Sequence, residues 1–295
     1  MEKKELKEIV VISGKGGSGK TTITAALAAI IPRKIIVDAD VDAADLYILM
    51  KPRDIHGSRF PGKPVAVIDP GRCISCRYCL DLCRFHAIVG NKGKYHVDGL
   101  SCEGCTLCQL ACPMKAITMA ERMVGEWFIS TSDWGDFVYA RLQPGAENSG
   151  SLVAMVKQQA KKRALEKDIH LLLIDGPPGI GCPVIASISG ADLAIIVTEP
   201  TYSGMSDMER VFRLTTHFKI KSGIVINRFD INLEHTRSIE AFAAQKGIPV
   251  YAKIPHSDCI REAIGARLLP NQHCWQLDEQ VKNLYQQIKC ELDGG

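Results

Sequence analysis

Gly14-Lys15-Gly16-Gly17-Ser18-Gly19-Lys20-Thr21 lies between an apolar run at 9–12 and a helical pattern that begins at Lys20. The stretch fits the spacing G-x-x-x-x-G-K-S/T, and its setting between a strand and a helix is the one this loop requires. The backbone must wrap a chain of phosphates closely, so glycines remove the Cβ atoms that would stand in the way. Successive N–H groups and the helix N-terminus then face the negative charge. Lys20 is expected to pair with the β- and γ-phosphates and Thr21 to ligate Mg²⁺, with Thr22 following in the same turn.

Working outward, further apolar runs occur at 35–37, 171–174, 193–197, 224–226 and 249–254. They are rich in Ile, Val and Leu, as strands covered on both faces are. Helical patterns at 20–31, 149–167, 203–218 and 233–246 separate them. The alternation predicts an α/β domain whose mostly parallel sheet is covered by helices on both faces. It breaks once, so residues 1–61 and 124–295 are expected to form one discontinuous domain and 62–123 a small inserted one. Near the C-terminus, Val281, Leu284, Tyr285 and Ile288 share one helical face. That helix lacks a basic polar face, so packing against the domain is expected rather than stable membrane binding.

Lys15 is a second lysine inside the glycine loop, giving K-G-G-S-G-K-T-T. This resembles the deviant Walker A motif of the P-loop ATPases of the MinD/ParA/Mrp and nitrogenase-iron-protein group. The resemblance implies ATP and Mg²⁺ as ligands and slow or partner-stimulated hydrolysis. It also implies a nucleotide-sandwiched homodimer, or a heterodimer with a paralogue, in which Lys15 reaches the partner's phosphates. By the same resemblance Asp40 orients the attacking water and Asp38 stands near the Mg²⁺ shell. Asp175 is the Walker B carboxylate, and Gly179 belongs to the segment that senses the γ-phosphate. Lys15, Lys20, Asp40 and Asp175 thus form the expected catalytic set. Asn227 and Pro255 match the family's adenine contacts. Asp42 and Asp45 read more simply as carboxylates at a helix start, and Ser149 as a helix N-cap.

The chain has twelve cysteines, and eight of them fall between Cys73 and Cys112. Cys73, Cys76, Cys79 and Cys83 are followed by Cys102, Cys105, Cys108 and Cys112-Pro113, the spacing of bacterial two-cluster ferredoxins. That resemblance makes the insert an α+β ferredoxin domain with two 4Fe–4S clusters. Ligation is expected to cross over: Cys73, Cys76, Cys79 and Cys112 on one cluster, and Cys83, Cys102, Cys105 and Cys108 on the other. Tetrahedral zinc sites more often pair two C-x2-C knuckles. Arg84 stands where a proline usually follows the fourth cysteine. Cys182, seven residues after Asp175, matches a cluster ligand of the nitrogenase iron protein, but the loop 144–150 offers no second cysteine, so a buried or interface thiol is the simpler reading. Cys259, Cys274 and Cys290 carry no recognisable spacing.

Charge adds little: 36 Lys and Arg against 33 Asp and Glu give a net +3, with no strong basic field for nucleic acid. The N-terminus carries no leader pattern and no apolar run approaches the ~18 residues of a membrane helix, so a cytoplasmic protein is expected. Taken together, the motifs predict an ATPase in which nucleotide-driven dimerisation is coupled to two clusters, as a redox switch or electron donor to an unidentified redox or client protein. A metallocluster assembly or carrier ATPase is the alternative. A positioning ATPase with structural or sensing clusters is the third.

Overall fold

Strands made of continuous Ile, Val and Leu bury both faces only if helices cover them. The computed structural model, which describes residues 5–91, 93–146 and 149–293, has this arrangement. Along the chain, β1 (Lys7–Ser13) leads through the glycine loop to α1 (Lys20–Ile30), then to β2 (Ile35–Asp38), α2 (Leu46–Met50) and β3 (Arg53–Pro61). Short elements follow: β4 (Val65–Ile68), α3 (Tyr78–Leu82), β5 (Ile88–Asn91), β6 (Lys94–Val97), α4 (Leu107–Ala111) and β7 (Ile117–Ala120). Next come β8 (Met123–Ser132), β9 (Gly135–Leu142), α5 (Ser149–Glu166), β10 (Leu171–Pro178) and α6 (Cys182–Ile188). The chain ends with β11 (Leu193–Thr198), α7 (Tyr202–His217), β12 (Lys221–Asn227), α8 (Leu233–Lys246), β13 (Val250–Ile254), α9 (Asp258–Gly265), α10 (Pro270–His273) and α11 (Trp275–Asp293).

Nine strands form one sheet in the order β13-β12-β11-β1-β10-β2-β9-β8-β3, and every pairing from β13 to β9 is parallel. β1 is central, and the glycine loop leaves its C-terminal end, where parallel sheets bind ligands. β10 and β2 pair with Asp175 opposite Asp38, so both carboxylates stand at the same level of adjacent strands. α1 covers one face with Ala25, Ala26, Leu27 and Ala28, all fully buried. The three alanines let the helix lie close to the sheet, and Leu27 fills the core between them. α11 packs as its sequence pattern predicts, with Val281, Leu284 and Ile288 in the same core. Helix ends carry their own signals: Thr201 accepts the Gly204 N–H at 3.0 Å, and Asn232 accepts the His235 N–H at 3.0 Å.

The chain divides into two compact units, one of residues 1–57, 127–141 and 149–295 and one of residues 58–126 and 142–148. The sequence alone suggested 62–123 for the second. The difference arises because β3 and β8 are long strands that run on past the expected joints, and because Leu142 begins a second excursion. β3, β8 and β9 themselves were not anticipated.

The smaller unit is built twice over. Cys73, Cys76, Cys79 and Cys83 recur 29 positions later as Cys102, Cys105, Cys108 and Cys112, and β4, α3 and β5 recur at the same offset as β6, α4 and β7. Its unusual backbone repeats too. Ser75, Arg77 and His86 have φ of 57°, 66° and 52°, and Gly104, Thr106 and Lys115 have 65°, 64° and 51°. β4 pairs with β7 and β5 with β6, both antiparallel, so each two-stranded sheet draws one strand from each copy.

Candidate functional site

The glycine loop is held from both sides. Ser13 Oγ donates to Lys15 O at 2.8 Å, and the Gly179 N–H donates to Ser13 O at 2.8 Å, which docks the segment after β10 onto the start of the loop. Gly19 has φ 91°, a conformation natural only to glycine, and a Cβ there would lie 2.2 Å from Asn227 Nδ2. At Gly14 a Cβ would sit 2.5 Å from the Asp207 backbone. Within this frame the Ser18 hydroxyl is buried and has no hydrogen-bond partner among the described residues. Such a hydroxyl is open to a bound water or ligand, and here it belongs to a glycine loop whose N–H groups suit an anion.

Lys20 Nζ lies 3.2 Å from Asp40 Oδ2 and 3.8 Å from Asp175 Oδ1. Burial pulls the Lys20 pKa down, but the Asp175 and Asp40 charges outweigh it and the net shift is upward. Asp175 accepts from Thr21 Oγ1 at 2.7 Å and from Thr24 Oγ1 at 2.9 Å. Thr24 was missed in the sequence. Its signal was there, since it lies three residues after Thr21 on the same helix face. Asp38 is fully buried and accepts backbone N–H groups from Asp40 at 3.1 Å and Leu46 at 3.2 Å. Both of its oxygens therefore shape the 38–46 turn. Burial, reinforced by the Asp175 and Asp40 charges, drives the Asp38 pKa well up, and burial also raises Asp40 against the opposing Lys20. Asp38, Asp40 and Asp175 thus act on Lys20 together, and only Asp40 and Asp175 come within ion-pair distance of its Nζ. Asp45 precedes α2 without a side-chain capping bond, and α5 starts at Ser149 itself. Glu147 and Asn148 of the preceding loop lie outside the described residues.

Lys15 points away from this cluster. Its Nζ lies 3.1 Å from Ser203 Oγ, 3.4 Å from Thr201 Oγ1 and 3.8 Å from Glu199 Oε2. Glu199 in turn holds Arg228 at 2.6 Å. Neither Glu199 nor Arg228 was singled out from sequence, because their pairing across 29 residues follows from the adjacency of β11 and β12. At the other end of the loop, a hollow of about 170 Å³ is lined by Thr22, Ile23, Asn227, Pro255, Ile260 and Ile264, among others. Asn227 and Pro255 line the same hollow, and Asn227 Nδ2 also donates to Ser18 O at 2.8 Å, tying this hollow to the glycine loop.

In the smaller unit the eight cysteines separate into two sets. Cys83, Cys102, Cys105 and Cys108 line a cavity of about 340 Å³ walled by Leu82, Phe85, Ile88, Val97 and Met119. Cys73, Cys76, Cys79 and Cys112 line another with Ile68, Tyr95 and Ile117. Each set takes three cysteines from one copy of the repeat and the fourth from the other. Burial pushes the Cys79 thiol up, with Cys73 and Cys76 adding to it. The Cys108 thiol is raised in the same way, with Cys102 and Cys105 adding to it. The thiols surround hollows rather than meet at a point: among the described residues, no three His, Cys, Asp or Glu side chains converge as a single-ion site.

Cys182 is exposed, so of the two expected placements, buried or at an interface, burial within the chain does not hold. Its position at the first residue of α6, on the rim of the switch segment, leaves it open to solvent. Cys259 and Cys274, expected to be unremarkable, are joined as a disulfide with Cα atoms 6.0 Å apart.

The sequence matches the CobQ/CobB/MinD/ParA nucleotide binding domain over residues 9–270. The chain belongs to this family. Within the CobQ/CobB/MinD/ParA family, an uncharacterized protein of Methanocaldococcus jannaschii is 30% identical over 290 residues, covering 96% of this chain and 97% of that protein. The solved structure of the septum site-determining protein MinD from Pyrococcus horikoshii, complexed with Mg-ADP, superposes with a TM-score of 0.57 at 18% identity, over 96% of each chain. A shorter match, 43% identical over 56 residues, is to the indolepyruvate oxidoreductase subunit IorA of Methanothermobacter marburgensis, covering 19% of this chain and 9% of that one. The family assignment agrees with the glycine loop, the paired aspartates and the parallel sheet. Among the described residues no helix is long and apolar enough to cross a membrane.

Proposed function

We propose that this family member is a Mg²⁺-dependent ATPase in which the nucleotide state is coupled to two 4Fe–4S clusters held by the smaller, inserted unit. The observation that carries the reading is the division of eight cysteines into two four-thiol hollows with crossed membership. Thiolate donors suit iron–sulfur clusters, and an apolar wall lowers the local dielectric around them. When bound, such clusters supply one-electron redox chemistry. Cys73, Cys76, Cys79 and Cys112 would hold one, and Cys83, Cys102, Cys105 and Cys108 the other.

On the nucleotide side, Ser18, the loop N–H groups and Lys20 would bind phosphate, while Thr21 and Asp175 would hold Mg²⁺, the aspartate through water. Asp40, 3.2 Å from Lys20, would orient an attacking water once the lysine turns to the phosphates. Lys15 would leave Glu199 and Ser203 to reach a partner copy's nucleotide, in a homodimer or with a paralogue. Asn227 and Pro255 would line the adenine.

Coupling has a short covalent route. Asp38 fixes the first N–H of α2, and only Lys51, Pro52 and residues 53–57 of β3 separate α2 from Ser58 of the smaller unit. Tyr47 of α2 also lies 4.0 Å beneath the guanidinium of Arg141, the residue before the chain re-enters that unit at Leu142. A shift of α2 therefore pulls on both connections. Anaerobic purification with iron counting is the test. About eight irons per chain are expected, with spectra of 4Fe–4S type. An iron-free protein that still binds ATP would overturn the cluster half of the reading.

A further inference from the structure

The wall of the base hollow is tied down by a bond that the nucleotide chemistry does not use. α9 contributes Ile260, Arg261 and Ile264 to that wall, and α11 contributes Leu277. Cys259 lies in the first turn of α9, beside Ile260, and Cys274 is the residue that joins α10 to α11, with its carbonyl accepting the Leu277 N–H at 3.0 Å. The Cys259–Cys274 disulfide therefore fastens one side of the hollow to the other. Cys274 is 2% exposed, whereas Cys259 is half-buried, so exchange with an external thiol or disulfide starts at Cys259. α9 packs against α10 and sets Ala263 and Ile260 toward the core, while Arg261, Glu262 and Ile264 lie exposed, so one side of the helix is anchored and the other faces solvent.

We propose that Cys259 and Cys274 form a redox-controlled thiol pair that sets how well the base hollow is preorganised for nucleotide. The inference rests on this hollow being the adenine end of the nucleotide site. In the reduced form α9 is free to move, and binding must then order it. In the oxidised form that ordering is already done. Formation of the bond is balanced by a small disulfide as oxidant. The Cys259 thiolate attacks it, releasing one small thiol and leaving a mixed disulfide. The Cys274 thiolate then displaces the second small thiol, its proton passing to solvent. Two cysteine thiols are oxidised as one external disulfide is reduced to two thiols. A dithiol reverses the step.

The test uses the full chain, purified anaerobically, with ADP as the probe. Samples are equilibrated with oxidised glutathione or with dithiothreitol, with iron content and the Cys259–Cys274 linkage checked by mass spectrometry, and ADP affinity is measured by calorimetry. ADP is expected to bind roughly three- to tenfold more weakly to the dithiothreitol form. Cys259→Ser is expected to bind ADP like the reduced wild type under both conditions, and Cys259→Ala guards against an effect of the serine hydroxyl. Equal affinities in two forms whose linkage states are confirmed to differ would overturn the proposal. So would a redox response that survives in Cys259→Ser, or an oxidised sample without the linked peptide. If neither form binds ADP, the adenine reading of the hollow fails, and this inference falls with it.

Discussion

Ser18, Lys15 and Lys20 sit within six residues of one another and have separable roles. The Ser18 hydroxyl is buried and without a partner among the described residues, so removing it takes no hydrogen bond from the folded chain. Ser18→Ala is expected to leave the denaturant midpoint unchanged or slightly raised, while weakening ADP binding by about tenfold, the worth of one hydrogen bond to a charged group. Lys20→Ala should abolish nucleotide binding, because it removes the only cation that faces Asp40 and Asp175 among the described residues. Lys15→Ala is expected to spare binding and to remove ATP-driven dimerisation, which sedimentation velocity reads directly. Lys15 rests on Ser203, Thr201 and Glu199, all of which it can leave without breaking the phosphate site. A dimer that forms as readily in Lys15→Ala would exclude the sandwich arrangement. Most of these residues were legible in the sequence, since the glycine loop packs its chemistry into eight positions. Thr24, Glu199 and Arg228 were less so, because their partners are distant in the chain and meet only when the strands pair.

At the scale of elements, the parallel strands were readable wherever both faces are buried, since continuous apolar runs announce them. β3 was not, because eight of its nine residues are exposed and no hydrophobic period marks it. β9 has only the short buried run Phe137–Ala140, set between Asp136 and Arg141, and β8 alternates too weakly to stand out. The β8–β9 turn carries a consequence for pH. Lys34 is buried against the Trp134 carbonyl, and burial lowers its pKa to about 8. The unfolded chain then holds a proton that the folded protein has lost between pH 8 and the ordinary lysine value, so stability rises with pH across that window. The slope is about 1.4 kcal/mol per pH unit at most. Lys34→Met should remove this rise, as denaturant midpoints at pH 7.5 and 9.5 would show. A wild type and a Lys34→Met variant with the same pH dependence would contradict it. In the smaller unit, crossed membership predicts that Cys112→Ser damages the same cluster as Cys76→Ser, and Cys83→Ser the same cluster as Cys105→Ser. Electron paramagnetic resonance of the four variants would distinguish this from uncrossed pairing, in which Cys83→Ser and Cys76→Ser would match.

For the whole molecule, the proposed coupling means that nucleotide state and clusters share a free energy. The larger unit has two acids level on neighbouring strands, with one of them, Asp38, holding the start of α2. The smaller unit is a duplicated fold whose two hollows each need both copies. The joints between the units are hard to read in the sequence, because β3 is exposed along nearly its whole length and β8 alternates only weakly. Coupling between sites is reciprocal and typically amounts to 1–3 kcal/mol, which for a one-electron centre is a shift of roughly 40–130 mV. The deciding measurement is an anaerobic redox titration of the iron-loaded protein without nucleotide and with saturating Mg-ATP, monitored by electron paramagnetic resonance. The account predicts that Mg-ATP moves the midpoint potential of at least one cluster by an amount in that range, and that Lys20→Ala abolishes the movement. Identical midpoint potentials in the two states, with ATP shown to be bound, would contradict it.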